Sequence, residues 1–208
     1  MPPIRVLLAD DHPVVRAGLA SVLSEQRDFQ LVGEAGDGER AVALACEQRP
    51  DVVLMDLRMP RMDGLTAIMH ITRELPDVRI LALSTYDGDA DIRRALEAGA
   101  RGYLLKDMLP TQLVSAVRAV HAGERVLPPL LAERLLAHSF EAVLTERELE
   151  VLALVARGLG NKEIARNIGR SSETVKAHLK SIVTKLSVAN RTEAVTVALA
   201  RGLIHLSA

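Results

Sequence analysis

Five times in its first 122 residues the chain repeats one pattern: a short apolar run, a polar turn, then a longer amphipathic stretch. The runs are Ile4 to Ala9, Phe29 to Ala35, Val52 to Met55, Val78 to Leu83 and Gly102 to Leu105. The stretches that follow are Pro13 to Ser24, Asp37 to Gln48, Gly64 to Glu74, Asp87 to Ala98 and Pro110 to Ala122. Short continuous apolar runs suit strands buried on both faces, and helices between them supply the crossovers that parallel strands need. The pattern predicts an α/β fold: a doubly wound five-stranded parallel sheet of order 2-1-3-4-5 with helices on both faces. Asp37-Gly38, Glu74-Leu75-Pro76 and Ala98-Gly99-Ala100 fall where elements must start or stop.

The strand ends carry the chemistry. Asp10-Asp11, Asp56, Ser84 and Lys106 all fall at C-terminal ends of predicted strands, the edge where open α/β sheets place their sites. Strands one and three are neighbours in this order, so the three aspartates line the crevice between them. Like charges packed there call for a cation, and hard oxygen donors select one such as Mg²⁺. A hydroxyl and an ammonium facing the same edge suit an incoming phosphoryl group. Asp56 is then the candidate nucleophile, forming an acyl phosphate. The plain alternative for Asp10-Asp11 is a helix cap, with Asp11 or His12 capping the helix that opens at Pro13. His12 reads as a surface histidine near that helix start. His70, His121, His138, His178 and His205 show no metal-type spacing.

Composition narrows the class. Apolar residues are 49% of the 208, enough for two cores, and these must be aliphatic because there is no Trp and only two Tyr and two Phe. Cys46 is the single cysteine, so no intramolecular disulfide forms, and it reads as a small apolar filler. The N-terminus lacks an apolar signal region, and no run approaches the ~18 residues of a membrane span. A cytoplasmic protein with no membrane partner is the expectation. The net charge of −1 hides an asymmetry: residues 1–122 hold 18 Asp and Glu against 14 Lys and Arg, while residues 145–208 hold 6 against 10. An acidic front and a basic end point to different partners, the basic end to nucleic acid.

The character changes after Gly123. Residues 123–143 read as a linker with a short leucine-rich helix of its own. From Leu144 only helices are predicted. Thr145 to Glu148 is a capping box whose helix runs to about Arg157; Asn161 caps a second helix, and Ser171 or Ser172 a third that runs to about Leu186. Asn190 to Glu193 is another capping box, opening a fourth helix that ends at Gly202. In the third, Val175, Leu179, Ile182 and Leu186 form an apolar stripe, while Lys176, Ala177, Lys180 and Thr184 fall on another side. Two lysines one turn apart beside small residues suit a major groove; a solvated helix face is the alternative.

Residues 1–122 resemble the receiver domain of bacterial two-component response regulators. The resemblance rests on Leu7-Leu8-Ala9-Asp10-Asp11-His12, Met55-Asp56-Leu57-Arg58-Met59-Pro60, Met62-Asp63-Gly64, Leu83-Ser84-Thr85 and Gly102-Tyr103-Leu104-Leu105-Lys106-Asp107. It implies that Asp56 accepts phosphate from a histidine kinase. It also implies that Asp10, Asp11, Asp56 and the backbone carbonyl of Arg58 hold Mg²⁺. Ser84 matches the hydroxyl that follows the phosphate, Tyr103 the aromatic that changes rotamer with it, and Lys106 the lysine that meets it. One departure is Asp107, where many receivers have proline. Arg58 and Tyr86 would flank the pocket and influence acyl-phosphate lifetime.

Residues 144–204, within a final domain of 144–208, resemble the LuxR-type helix-turn-helix domain through Leu144-Thr145-Glu146-Arg147-Glu148, Val155-Ala156-Arg157-Gly158, Asn161-Lys162-Glu163-Ile164-Ala165 and Glu173-Thr174-Val175-Lys176-Ala177-His178-Leu179. That resemblance implies that the third helix recognises DNA through Lys176, Ala177 and Lys180. It makes the fourth a dimerising helix with Val195 and Leu199 as its contacts. Together the two matches imply a NarL/FixJ-class regulator: a non-enzymatic, phosphorylation-switched transcription factor that binds promoter DNA as a homodimer, with RNA polymerase a further implied partner. Two rivals remain on residues alone. A haloacid-dehalogenase-type phosphatase would want a second Asp two residues after Asp56, where Arg58 stands. A DNA-binding or docking module with a vestigial receiver would not need Asp10, Asp11, Asp56, Ser84 and Lys106 intact.

Overall fold

The computed structural model describes residues 2–85, 88–108, 110–127, 129, 131–133 and 144–205. The chain divides into two compact units, one built on a sheet and one on helices. Residues 4–121 hold β1 (Ile4–Ala9), α1 (Pro13–Ser24), β2 (Phe29–Ala35), α2 (Gly38–Gln48), β3 (Val52–Asp56), α3 (Gly64–Glu74), β4 (Arg79–Ser84), α4 (Asp89–Glu97), β5 (Gly102–Leu105) and α5 (Pro110–His121). All five strands are parallel in the order β2-β1-β3-β4-β5, as the alternation requires.

Burial explains why the strands carry no polar alternation. Val6, Leu8, Val52, Leu54, Leu81 and Leu83 pack with Leu23 of α1 and with Leu113, Val117 and Val120 of α5. The intervening residues Leu7, Val53, Met55 and Ile80 are equally buried on the opposite face, as are Ala41 of α2 and Ile68 and Ile71 of α3. Each fully buried aliphatic side chain contributes roughly 1.5–3 kcal/mol. β3, between β1 and β4, is buried at every residue, Asp56 included.

Element ends follow local capping. Asp37 and Asp63 lie outside α2 and α3 as caps, their carboxylates accepting from Arg40 and Thr66 amides. The expectation that Asp11 or His12 caps α1 does not hold. His12 occupies the cap position without a side-chain bond, and the Asp10 carboxylate accepts the His12 amide at 2.8 Å instead. Helix α4 begins at Asp89, not Asp87, which lies outside the described residues.

Beyond α5 the chain returns to the sheet. Val126 forms a parallel bridge with Gly102: the Tyr103 amide donates to the Val126 carbonyl at 2.9 Å, and the Val126 amide to the Arg101 carbonyl at 3.1 Å. Glycine at 102 permits this approach, since a Cβ there would stand 2.9 Å from the Val126 oxygen. Leu131 is buried and residues 131–133 are helical; the remainder of the expected linker helix falls outside the described residues.

The second unit is four helices: α6 (Glu146–Ala156), α7 (Asn161–Asn167), α8 (Ser172–Lys185) and α9 (Arg191–Ala200). Val151, Leu152, Ile164, Val175, Ile182, Ala194 and Ala198 make its core, wholly aliphatic as the composition demands. Thr145 and Glu148 form the predicted capping box, and Ser171 rather than Ser172 caps α8. Two caps differ from expectation. Gly160, not Asn161, caps α7, because Glu163 reaches back to the Gly160 amide and starts the helix one residue earlier. Asn190 caps α9, but Glu193 accepts from the Ala189 amide, so no reciprocal box closes there.

Candidate functional site

β1 and β3 are neighbours, so Asp10 and Asp11, which follow β1, meet Asp56 at the end of β3. Asp10 and Asp56 are 0% and 1% exposed. Lys106, just past β5, crosses the crevice: its Nζ lies 2.7 Å from Asp10 Oδ2 and 2.7 Å from Asp56 Oδ2. Ser84, the last residue of β4, is buried, and its carbonyl accepts the Lys106 amide at 2.8 Å. Tyr103 is fully buried on β5. Arg58 turns back on the pocket, its amide donating to Asp56 Oδ1 at 3.1 Å. Tyr86 lies outside the described residues.

Backbone packing fixes where Asp56 sits. The Gly64 amide, at the start of α3, donates to the Leu57 carbonyl at 3.1 Å. A Cβ on Gly64 would fall 1.9 Å from the Asp56 carbonyl oxygen, so only glycine lets α3 start against the end of β3.

The electrostatics are those of a charge held at a cost. Burial pushes the Asp56 carboxyl above its usual range; Lys106 and the Arg58 amide pull it back only in part, and the Asp10 charge adds to the rise. Burial alone would lower the Lys106 pKa, but the two carboxylates outweigh it and hold the ammonium above its usual value. One cation thus serves two buried anions, and a divalent ion is the natural complement. Ligand atoms of Asp10, Asp11, His12 and Asp56 lie within 4.8 Å of one another, a spread one ion can span. Asp11 Oδ1 is buried without a hydrogen bond; His12 Nδ1, 2.5 Å away, makes an ion-pair contact only. His12 is mostly exposed, as a surface histidine should be, but faces the carboxylates rather than standing apart from them. An oxygen-rich pocket with an unsatisfied buried oxygen fits Mg²⁺.

In the helical unit, Lys176, Ala177, Lys180 and Thr184 are exposed on α8, and Val175, Ile182 and Leu186 are buried. The two faces assigned from spacing are therefore real. Lys176 pairs with Glu173 at 2.8 Å in solvent, an exchangeable contact of small worth. Val195 and Leu199 of α9 are partly buried at the margin of the core.

One residue carries more than its sequence reading. Glu148, placed as a capping-box member, is 4% exposed and accepts four hydrogen bonds. Two come from Thr145; the others come from Ser181 Oγ at 2.6 Å and Lys185 Nζ at 2.8 Å, both on α8. Burial works to raise its pKa, but these donors prevail and lower it to about 2. Its partners on α8 stand 33 and 37 residues away, and no local signal in the sequence pairs them with it.

A sheet with this order, an acidic crevice crossed by a lysine and a separate helix-turn-helix unit define a receiver joined to a DNA-binding module. Comparison with known proteins agrees. Residues 6–118 match the family described as response regulator receiver domain, and residues 142–198 match the luxR family of bacterial regulatory proteins. The chain belongs to the two-component response regulators with a LuxR-type DNA-binding domain, a family of transcriptional regulators rather than enzymes. It is 43% identical over 210 residues to the transcriptional regulatory protein LiaR of Bacillus subtilis (strain 168), covering 97% of this chain and 100% of that protein. Response regulator protein VraR of Staphylococcus aureus is 41% identical over 208 residues, with 97% and 99% covered. Among solved structures, response regulator ChrA of a heme-sensing two-component system matches at 42% identity and TM-score 0.60, over 98% of this chain and 100% of that one. A complex of the two-component response regulator RcsB with DNA matches at 30% identity and TM-score 0.70, over 95% and 98%. No helix among the described residues is long and apolar enough to cross a membrane.

Proposed function

We propose that Asp56 is the phosphoacceptor of this regulator and that the α8 face reads promoter DNA. The observation that carries the first half is the shared lysine: Lys106 bridges Asp10 and Asp56 at 2.7 Å each, in a crevice with Asp11 beside it. Asp10, Asp11, Asp56 and the Arg58 carbonyl are the residues that would hold Mg²⁺, which when bound neutralises charge on the transferring group. An Asp56 carboxylate oxygen attacks the phosphorus of a phosphohistidine on the cognate sensor kinase. The P–O bond forms as the P–N bond breaks, and the imidazole leaves. Lys106 stays charged and turns to the new phosphoryl oxygens, Ser84 donates its hydroxyl to one, and Tyr103 follows inward. A local change in charge thereby biases a two-state surface.

For the second half, Lys176, Lys180 and Thr184 supply phosphate and base contacts, and Ala177 allows close approach. Val195 and Leu199 extend an apolar margin suited to a homodimer formed on phosphorylation, which places two α8 helices on two half-sites. RNA polymerase at the promoter and a cytoplasmic location complete the reading. The working units are residues 1–122 as receiver, 123–143 as linker and 144–208 as DNA-binding domain.

Incubation with acetyl phosphate and Mg²⁺ tests the acceptor by intact mass. Wild type should gain one phosphoryl group and Asp56→Asn none; an adduct that survives in Asp56→Asn would place the acceptor elsewhere. For DNA, Lys176→Ala with Lys180→Ala should weaken duplex binding and flatten its salt dependence by about two phosphate contacts. Unchanged binding would reject α8 as the reading helix.

A further inference from the structure

Helix α8 packs on its unit through Val175, Ile182 and Leu186, with Leu179 partly buried against the same core. Apolar burial is non-directional. It fixes which face of a helix lies on the core but sets the finer rotation less sharply than directional contacts do, and each residue of an α-helix subtends about 100°. A rotation of a fraction of that angle moves Lys176 and Lys180 off one set of base edges. Something directional must set the azimuth, and hydrogen bonds are directional.

Among the described residues, two directional contacts from outside α8 to its flank meet on one carboxylate. Ser181 and Lys185 lie between the exposed row, where Ala177 is four residues from Ser181, and the buried stripe, where Ile182 is three from Lys185. Both donate to Glu148, whose remaining bonds go to Thr145 at the N-terminus of α6. Glu148 is thus anchored on one helix start and grips α8 at two points one turn apart. Two points one turn apart on that flank hold both the rotation of α8 and its tilt.

We propose that Glu148 is a positioning residue for DNA recognition: through Ser181 and Lys185 it fixes the rotation of α8, and so sets sequence discrimination rather than the general attraction to duplex. This rests on the reading of α8 as the DNA-facing helix. The cations that attract phosphate, Lys176 and Lys180, are not held by Glu148. Cutting the grip therefore leaves non-specific binding nearly intact while degrading the specific mode. Lys185 is itself withdrawn into the pair and subtracted from the charge offered to DNA.

The test uses the full chain and two duplexes: one selected from a random pool by the wild-type protein, and one scrambled duplex of the same length. Ser181→Ala with Lys185→Gln cuts the grip and leaves the Thr145–Glu148 cap in place. Its affinity for the selected duplex should fall roughly tenfold, the size of one lost base contact, while affinity for the scrambled duplex changes less than about twofold. Glu148→Gln should lower the same ratio. Adding Lys185→Gln to Glu148→Gln restores charge balance but not the ratio, because the directional grip is still missing.

Helix content by circular dichroism is read alongside. A flank variant with wild-type helix content and an unchanged selected-to-scrambled ratio would overturn the proposal. So would loss of helix content in the flank variant, since Glu148 would then be holding the fold rather than the pose. Lys176→Ala with Lys180→Ala separates the two readings. If that variant binds both duplexes like wild type, the assignment of α8 has failed. If it weakens both and the flank variant keeps its ratio, only the role of Glu148 has.

Discussion

Each unit of this protein buries a carboxylate against a lysine, and the two carboxylates respond in opposite directions. Asp56 is pushed above the usual carboxyl range, chiefly by burial, with Lys106 2.7 Å away. Glu148 is held down at about 2 with Lys185 2.8 Å away. The lysine therefore does not decide the outcome. Glu148 accepts four hydrogen bonds, and its two oxygens are fully served. Asp56 has a lysine shared with Asp10 and a single backbone amide from Arg58. Donor count and a second anion separate a carboxylate that is spent on structure from one left ready to react.

Removing the cation from the first pair has the largest consequence. Lys106→Met should slow phosphorylation by acetyl phosphate by about 10²–10³, the cost of one aimed donor at developing charge. Intact-mass kinetics would show it, and a rate within twofold of wild type would mean that Lys106 is only a counter-ion. Neutralising the second pair should act on stability instead. Glu148→Gln removes the charge that Lys185 and Ser181 meet and should destabilise the helical unit, still folded, by about 2 kcal/mol, read by hydrogen exchange over residues 144–205.

Acid sharpens the contrast. The Glu148 pKa lies below its unfolded value, so its contribution is fully present above about 4.5 and is lost as pH falls toward about 2. At roughly 1.4 kcal/mol per pH unit the ceiling is about 3 kcal/mol. Glu148→Gln should be nearly flat over that window, and an equal acid slope in the variant would remove Glu148 as the cause. Asp56 carries the reverse sign, because a raised pKa means that its charge opposes folding above that pKa. Asp56→Asn should therefore stabilise the metal-free receiver, and the gain should shrink when Mg²⁺ is added to both proteins. Destabilisation by Asp56→Asn would break the comparison at its base.

How far the sequence revealed this depends on separation along the chain. Strand ends were legible because apolar runs stop on Asp10, Asp56, Ser84 and Lys106, and parallel topology carries all four to one edge. The α8 faces were legible from a helical repeat within fourteen residues. Caps read well where a side chain bonds three residues on, as at Thr145, and badly at Gly160, which has no side chain to announce it. The grip of Glu148 on α8 spans 33 and 37 residues. No local pattern encodes such a contact, and a Thr-x-x-Glu box gave the glutamate a sufficient role already. The Val126 bridge escaped for another reason: a pairing one residue long has no alternation to detect.

That bridge has a consequence for how the protein behaves in a crowded solution. The outer rim of β5 would otherwise present bare main-chain groups, the surface onto which a foreign strand adds in fibril growth. Val126 occupies the Tyr103 amide and the Arg101 carbonyl. Any chain seeking to extend the sheet on that side would first have to peel this segment away.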